Sequence, residues 1–236
     1  MSVFKFKQFD VDQTGCAMKI NTDGVLLGAL ADANVPKSIL DIGAGTGVIA
    51  MMLAQRYTNA LIDAVEIDET ASKTAECNFK SSKFAERLHM HPQSFEDYFE
   101  MNPDVKYHLI VSNPPFFLNS LLSPGPKKSL ARHTDESFFE RLLNACANHL
   151  ADGGTAQFIL PVGTAEIVTS YSAKFGLCLY KRINIRSFSH DEPHRELIIL
   201  GKEQKKLIVE DFVIYESLKI YSAAYQNALK DFFTIF

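Results

Sequence analysis

Glycine at every second position after a short apolar run limits this chain more than any other feature. Ser38-Ile39-Leu40-Asp41-Ile42 reads as a buried strand, Gly43-Ala44-Gly45-Thr46-Gly47 follows, and Val48-Ile49-Ala50-Met51-Met52-Leu53-Ala54 continues as a buried helix. Glycines tolerate positive φ and let a backbone approach a ligand closely. The helix start behind them presents N–H groups that have no partner inside the helix. The alternate spacing is not the dinucleotide pattern Gly-x-Gly-x-x-Gly. Asp41 at the strand tip would repel a pyrophosphate, but it suits a ligand that carries an ammonium group. A second strand, Leu61-Ile62-Asp63-Ala64-Val65, ends at Glu66, 19 residues after Gly47. An acid about 20 residues beyond such a loop can accept both hydroxyls of a ribose. The plain alternatives are a turn-capping Asp41 and a solvated Glu66.

A further apolar run, Tyr107-His108-Leu109-Ile110-Val111-Ser112, leads straight into Asn113-Pro114-Pro115-Phe116. This tetrapeptide suits the gripping of a planar amine. The Asn113 amide oxygen accepts one hydrogen bond from an exocyclic –NH2, and the Pro114 carbonyl accepts another. Neither proline has an N–H, so the turn is biased towards accepting. The Phe116 ring offers a face for base stacking, worth roughly 1–3 kcal/mol per base. Two acceptors on one amine leave its lone pair more available to an electrophile. Read without that chemistry, the same residues are a proline-stiffened strand end with Phe116 in the core.

Taken together, Asp41-x-Gly43-x-Gly45-x-Gly47, Glu66 and Asn113-Pro114-Pro115-Phe116 resemble the motifs of class I S-adenosylmethionine-dependent methyltransferases that act on amino groups. Order and spacing match over residues 38–160. The N-terminal stretch, Phe4 to Phe9 and Ala17 to Ala29, is similar to that of the bacterial tRNA(Val) adenine-37 N6-methyltransferase family. Arg132-His133 and Gly153-Gly154 fit that family too. The resemblance implies an α/β, Rossmann-like fold: a seven-stranded, mostly parallel sheet with an antiparallel C-terminal strand and helices on both faces. It implies a single domain over 1–236, with 1–30 as an extension that helps bind cofactor and substrate. The implied cofactor is S-adenosylmethionine, held by Lys19, Thr22, Asp41, Gly43, Gly45, Gly47, Glu66, Ile67, Gln93, Ser94 and Asn113. In the wider class an acid after the third strand often meets the cofactor's adenine amine; here Gln93, Ser94 and Asp97 stand nearest. Asn113, Pro114 and Phe116 are the implied catalytic residues. Pro115, Phe116, Lys127, Lys128, Arg132 and His133 are the implied contacts to a valine tRNA. A cytoplasmic monomer without metal is expected. A non-catalytic RNA-binding module is the reading from another class, and the intact Asn113-Pro114-Pro115 speaks against it. Relatives that methylate a release-factor glutamine, a ribosomal RNA guanine or DNA adenine share the Asn-Pro-Pro motif. Tyrosine is common at its fourth position; Phe116 keeps the stacking face and loses the hydroxyl.

The net charge of −4 speaks against a broad nucleic-acid surface. Basic clusters therefore matter locally: Lys5, Lys7 and Lys19; Lys127 and Lys128; Lys181, Arg182 and Arg186; Lys202, Lys205 and Lys206. Lys127-Lys128 follows Ser123-Pro124-Gly125-Pro126, a loop too broken to be core. No apolar run reaches the roughly 18 residues that cross a bilayer. Cys16, Cys77, Cys146 and Cys178 form no Cys-x-x-Cys pair and read as buried, reduced thiols.

The alternating pattern continues along the chain. Helices are expected over 69–81, 136–150 and from Val162 to about Phe175, and strands over 88–91 and 155–160. Leu177–Phe188 and Arg195–Leu200 read as antiparallel edge strands. A β segment over 207–214 and a short aromatic helix close the chain. His190 and His194 flank a turn with Asp191 and Glu192; a hydrophilic hairpin tip explains them better than a metal site.

Overall fold

The structure, a computed structural model, describes residues 3–114 and 127–236, with side chains described outside 127–136. Pro115, Phe116 and the Ser123–Pro126 segment therefore lie outside the described residues, as do the side chains of Lys127, Lys128, Arg132 and His133.

The chain opens with a hairpin, β1 (Val3–Lys5) and β2 (Asp10–Asp12), and helix α1 (Thr22–Leu30). Alternation of strand and helix follows: β3 (Ser38–Ile42), α2 (Val48–Arg56), β4 (Leu61–Val65), α3 (Glu69–Ser81), β5 (Leu88–His91), α4 (Phe95–Met101), β6 (Tyr107–Ser112), α5 (Lys127–His149), β7 (Leu150–Pro161) and α6 (Val162–Ser172). The end is β-rich: β8 (Cys178–Arg186), β9 (Arg195–Gly201), β10 (Ile208–Val213), β11 (Tyr215–Ser217) and β12 (Ile220–Tyr221), then α7 (Ala223–Leu229).

The large sheet has the order β10-β8-β9-β7-β6-β3-β4-β5. From β3 the chain steps outwards to β4 and β5, then returns to β6 on the other side of β3. That reversal makes a crevice at the carboxyl ends of β3 and β6, where ligands of open α/β sheets bind. Central strands are apolar on both faces because helices cover both. One core joins the sheet to α1, α2, α3 and α7; the other joins it to α4, α5 and α6.

The described sheet has eight strands rather than seven, and the edge differs from expectation. Only β9 is antiparallel; β8 runs with the rest, and β10 pairs with it in parallel from Ile208↔Lys181 to Val213↔Arg186. The reason is pairing capacity. β9 is already bonded by β7 and β8, so the next strand finds its free edge on β8. The edge strand carries exposed Glu210 and Asp211, charges of the kind that protect an open edge. Helix α5 begins at Lys127, earlier than expected, so Lys127 and Lys128 open a helix instead of ending a loop. Ala151 to Gly154 is an irregular part of β7, not a turn that precedes it. Cys77 is exposed, on the outer side of α3, whereas Cys16 and Cys146 are buried.

A partly buried polar chain links the strands on one side of the sheet to the helix that covers them. His91 Nε2 lies 2.8 Å from Asp63 Oδ1, Tyr107 donates to Asp63 Oδ2 at 2.8 Å, and the Tyr98 and Tyr107 hydroxyls are 2.6 Å apart. It ties β4, β5, α4 and β6 together. Burial pushes the Asp63 carboxyl up, but the His91 and Tyr107 hydrogen bonds outweigh it and hold the pKa below 3.8. The depressed value contributes stability above the unfolded pKa that is lost as pH falls through the folded one. Tyr107→Phe is expected to cost about 1–3 kcal/mol, the usual penalty for stripping a buried partner. Urea unfolding near neutral pH checks it; an unchanged midpoint would show that the network contributes nothing.

Candidate active site

The crevice opens into a cleft of about 460 Å³. Ile42, Gly43 and Gly45 come from the end of β3, and Val65 to Asp68 from the end of β4. Gln93 to Glu96 follow β5, and Ser112 to Pro114 follow β6. Ala17 and Met18 approach from the N-terminal stretch, and Phe138 and Arg141 from α5. Across the rim Arg141 Nε pairs with Glu96 Oε1 at 2.9 Å, an exposed contact of small energetic weight.

The glycine loop hangs from β4. The N–H groups of Gly43 and Ala44 donate to the Val65 carbonyl, and that of Gly45 donates to Glu66 Oε2 at 2.9 Å. Gly43 and Gly45 have φ of +73° and +56°, and beyond their chain neighbours no atom of the described residues lies within 4 Å of where a Cβ would stand. Their backbone thus faces open space, a cradle that side chains would fill. Gly47 serves packing instead: a Cβ there would sit 2.4 Å from Phe79 Cε1.

Glu66 Oε1 accepts from the Asp68 N–H at 2.8 Å, so both carboxylate oxygens are aimed by backbone donors. Each oxygen keeps lone-pair capacity for a further donor, which fits a vicinal diol. Asp41 does not reach the cleft surface. It is fully buried, and its Oδ2 accepts from the Ala50 N–H at 3.1 Å in the first turn of α2. Its Oδ1 has no hydrogen-bond partner among the described residues. Burial, with some help from the Glu66 charge, pushes its pKa up to about 7 against the pull of the Ala50 hydrogen bond.

Asn113 is half-buried at the end of β6, and its Oδ1 is buried with no partner among the described residues. Its Nδ2 lies 3.7 Å from where a Cβ on Gly24 would stand, so α1 backs the amide closely. Ser112 Oγ donates to the Ile42 carbonyl at 2.7 Å and locks the ends of β6 and β3 together. A buried acceptor without a partner costs about 1–3 kcal/mol, so this oxygen calls for a donor from beyond the described residues.

Of the residues expected to hold a cofactor, Gly43, Gly45, Glu66, Ile67, Gln93, Ser94 and Asn113 line one cleft, together with Pro114. Asp41 and Gly47 lie behind it. Lys19 is exposed and lines none of it, and Thr22 opens onto a different cavity. The Ser94 hydroxyl is spent on capping α4 through the Asp97 N–H at 3.0 Å. Sequence reasoning missed Ala17, Met18, Phe95, Phe138 and Arg141. Met18 adjoins Lys19 in the N-terminal block and could have been found there, but no local pattern marks Phe138 or Arg141. Among the described residues, no group of three or more His, Cys, Asp or Glu is placed to hold a metal ion. Nor is any helix among them long and apolar enough to cross a membrane.

A family profile described as the methyltransferase small domain matches residues 20–163. A protein of Pedobacter heparinus, named tRNA1(Val) (adenine(37)-N6)-methyltransferase, is 46% identical over 100% of this chain and 99% of its own. The chain belongs to the tRNA1(Val) (adenine(37)-N6)-methyltransferase family. Another similar relative, from Haemophilus influenzae and of the same name, is 37% identical, with 100% of both chains covered. A solved structure described as a predicted O-methyltransferase from Agrobacterium tumefaciens superposes with a TM-score of 0.60 at 15% identity, covering 89% of this chain and 96% of that one. That likeness carries the fold alone.

This chain is thus a methyltransferase, and the cofactor of such a family is S-adenosylmethionine. The residues present fit it. The Gly43–Gly45 cradle and a doubly anchored Glu66 face one cleft. Glu66→Ala is expected to weaken S-adenosylmethionine binding by roughly 1.5–3 kcal/mol, the loss of charge-assisted hydrogen bonds. Calorimetry on the folded variant reads this directly, and full affinity would remove Glu66 from the site.

Proposed function

We propose that this methyltransferase transfers a methyl group to the exocyclic N6 amine of adenine 37, next to the anticodon, in valine tRNA. The observation that carries the reading is the buried Asn113 Oδ1, without a partner among the described residues, on a residue that lines the cofactor cleft. The names of its relatives support the choice of base and tRNA.

S-adenosylmethionine supplies, when bound, a methyl carbon already activated by its sulfonium. Glu66 takes the ribose hydroxyls, and the Gly43–Gly45 backbone leaves room for the rest of the cofactor. The work of Asn113 is on the amine. An adenine amino group is a poor nucleophile because its lone pair is delocalised into the ring. Asn113 Oδ1 accepts one of its hydrogens, which favours a pyramidal nitrogen and stabilises the positive charge that develops there. The second acceptor is the Pro114 carbonyl. Phe116, three residues beyond Asn113 in the sequence, stacks on the base. No dedicated base is required, since the nitrogen becomes strongly acidic once methylated and water takes the proton. An unpaired loop nucleotide swings into a pocket at small cost, which suits an anticodon loop. A tRNA substrate places the work in the cytoplasm.

Mass spectrometry of nucleosides from total tRNA, with and without this protein, tests the reading. N6-methyladenosine in valine tRNA is expected to appear only with the protein. Equal amounts in both samples would refute the assignment.

A further inference from the structure

Helix α1 stands directly behind Asn113. A Cβ on Gly24, in the first turn of α1, would lie 3.7 Å from Asn113 Nδ2 and 3.9 Å from Ile49 Cγ1. A shift of that turn therefore moves the wall against which the amide rests. The two ends of α1 are held in different ways. The far end is gripped by α2 and β7. Arg56 Nη1 donates to the Gly28 and Ala31 carbonyls at 3.0 and 2.6 Å, and the Asp32 N–H donates to Gln157 Oε1 at 3.0 Å. The first turn is capped by Asn21, whose Oδ1 accepts from the Gly24 N–H at 2.8 Å. A cap closes the helix but does not tie it to the sheet.

That tie comes from Asp23. Arg195 Nε donates to Asp23 Oδ2 at 2.8 Å, across 172 residues of sequence. Arg195 is the first residue of β9, beside Pro161 at the end of β7 and Ile185 near the end of β8. Because β9 is antiparallel, its start lies at the sheet edge where β6 ends and Asn113 follows. Two strand spacings, about 10 Å, separate β9 from β6. The guanidinium is also held by its own neighbour, since Arg195 Nη1 donates to the His194 carbonyl at 2.9 Å. The side chains of Arg195 and Asp23 are 25% and 14% exposed, against 52% and 39% for Arg141 and Glu96 at the cleft rim. Solvent and salt screen the inner pair less, which suits it to hold a position. Neither Arg195 nor Asp23 lines the cofactor cleft.

We propose that Arg195 and Asp23 are positioning residues for methyl transfer: their ion pair fixes the first turn of α1 against the sheet and so holds the Asn113 amide where the amine must meet it. The inference rests on the role of Asn113 proposed above. An amide that must reach an –NH2 at hydrogen-bond distance tolerates little drift, and a misplacement of about 1 Å costs up to roughly 100-fold in rate. A first-turn acid would favour α1 through the helix dipole alone, but that role needs no arginine on β9.

The test is a kinetic cycle. Single-turnover methylation of valine tRNA at saturating S-adenosylmethionine is measured for wild type, Arg195→Gln, Arg195→Lys, Asp23→Asn, Asn113→Ala and the double variant Arg195→Gln/Asn113→Ala. Calorimetry with S-adenosylmethionine runs alongside to report an intact fold. Arg195→Gln and Asp23→Asn are each expected to slow methyl transfer about 10-fold, at unchanged affinity for tRNA and cofactor. Arg195→Lys keeps the charge and should retain most of the rate. In the Asn113→Ala background the loss of Arg195 should change nothing further, because its effect runs through the amide. Asp23→Asn is nearly isosteric, so it carries the test if Arg195→Gln fails to fold. Wild-type rates in the single variants of the pair, with Asn113→Ala slow, would overturn the pair alone. Equal slowing in both backgrounds would do the same, as would a loss confined to tRNA affinity, which would make Arg195 an RNA contact. Asn113→Ala at wild-type rate would overturn the role of the amide and the pair with it. Wild type that labels another nucleic acid or a protein instead of tRNA would overturn the substrate reading, and the same cycle on that substrate would still decide the pair.

Discussion

Asn113→Ala is expected to leave S-adenosylmethionine affinity nearly unchanged and to cut the methylation rate by about 100-fold or more, as the loss of one preorganised polar group does elsewhere. The structural ground is specific. The Asn113 oxygen is a buried acceptor without a partner among the described residues, and Gly24 backs its amide nitrogen closely. Its cost in the free chain is recovered only when a donor arrives, so its effect falls on the rate and not on cofactor binding. Asn113→Asp offers a finer probe. It keeps an acceptor but adds charge, and the rate should fall less than with alanine. Single-turnover kinetics at saturating cofactor measure both. Wild-type turnover by Asn113→Ala would contradict the mechanism.

Asp41→Asn is expected to stabilise the free protein at alkaline pH. Asp41 is fully buried, one of its oxygens has no partner among the described residues, and its pKa is pushed up from 3.8 to about 7. The sign follows from proton linkage. The folded state holds this proton more tightly than the unfolded chain, so the contribution is fully present below pH 3.8 and is lost as pH rises through about 7. A carboxyl moved that far is worth on the order of 4 kcal/mol. Urea midpoints of wild type and variant should therefore diverge between pH 4 and 8, by up to roughly that amount, with the variant the more stable at the upper end. Parallel curves would show that the carboxyl titrates normally. A cationic ligand bound above the carboxylate would offset its burial. Cofactor affinity should accordingly rise with pH in wild type and stay flatter in the variant.

Local chemistry made much of this legible. Ser38–Ile42, Tyr107–Ser112 and Leu88–His91 are strands with the bounds read from their apolar runs, and Glu69–Ser81 is the helix that its charged outer face suggests. Residues at strand ends were legible too, because Gly43, Gly45, Glu66 and Asn113 obey rules set by their own segment. What escaped depends on contacts between distant segments. Nothing in Ile208–Val213 says that it pairs with β8, since that follows from β9 being saturated. Nothing near Asp41 says that it lies beneath the cleft and not on its wall, since that depends on how α2 packs over β3. Met18, Phe138 and Arg141 join the site only because the N-terminal stretch and α5 converge on it. The rings of Tyr215, Tyr221 and Tyr225 stack although they come from β11, β12 and α7.

The central claim is the amine that this protein methylates, and one assay tests it most directly. Purified protein and methyl-labelled S-adenosylmethionine are offered transcribed valine tRNA, tRNA purified from cells, ribosomal RNA, DNA and a release factor side by side. Label is expected in tRNA alone, at N6 of the adenine next to the anticodon, and it should disappear with Asn113→Ala. Label on the release factor, ribosomal RNA or DNA, with none on either tRNA, would contradict the substrate assignment and leave the methyltransferase fold and its cofactor cleft in place.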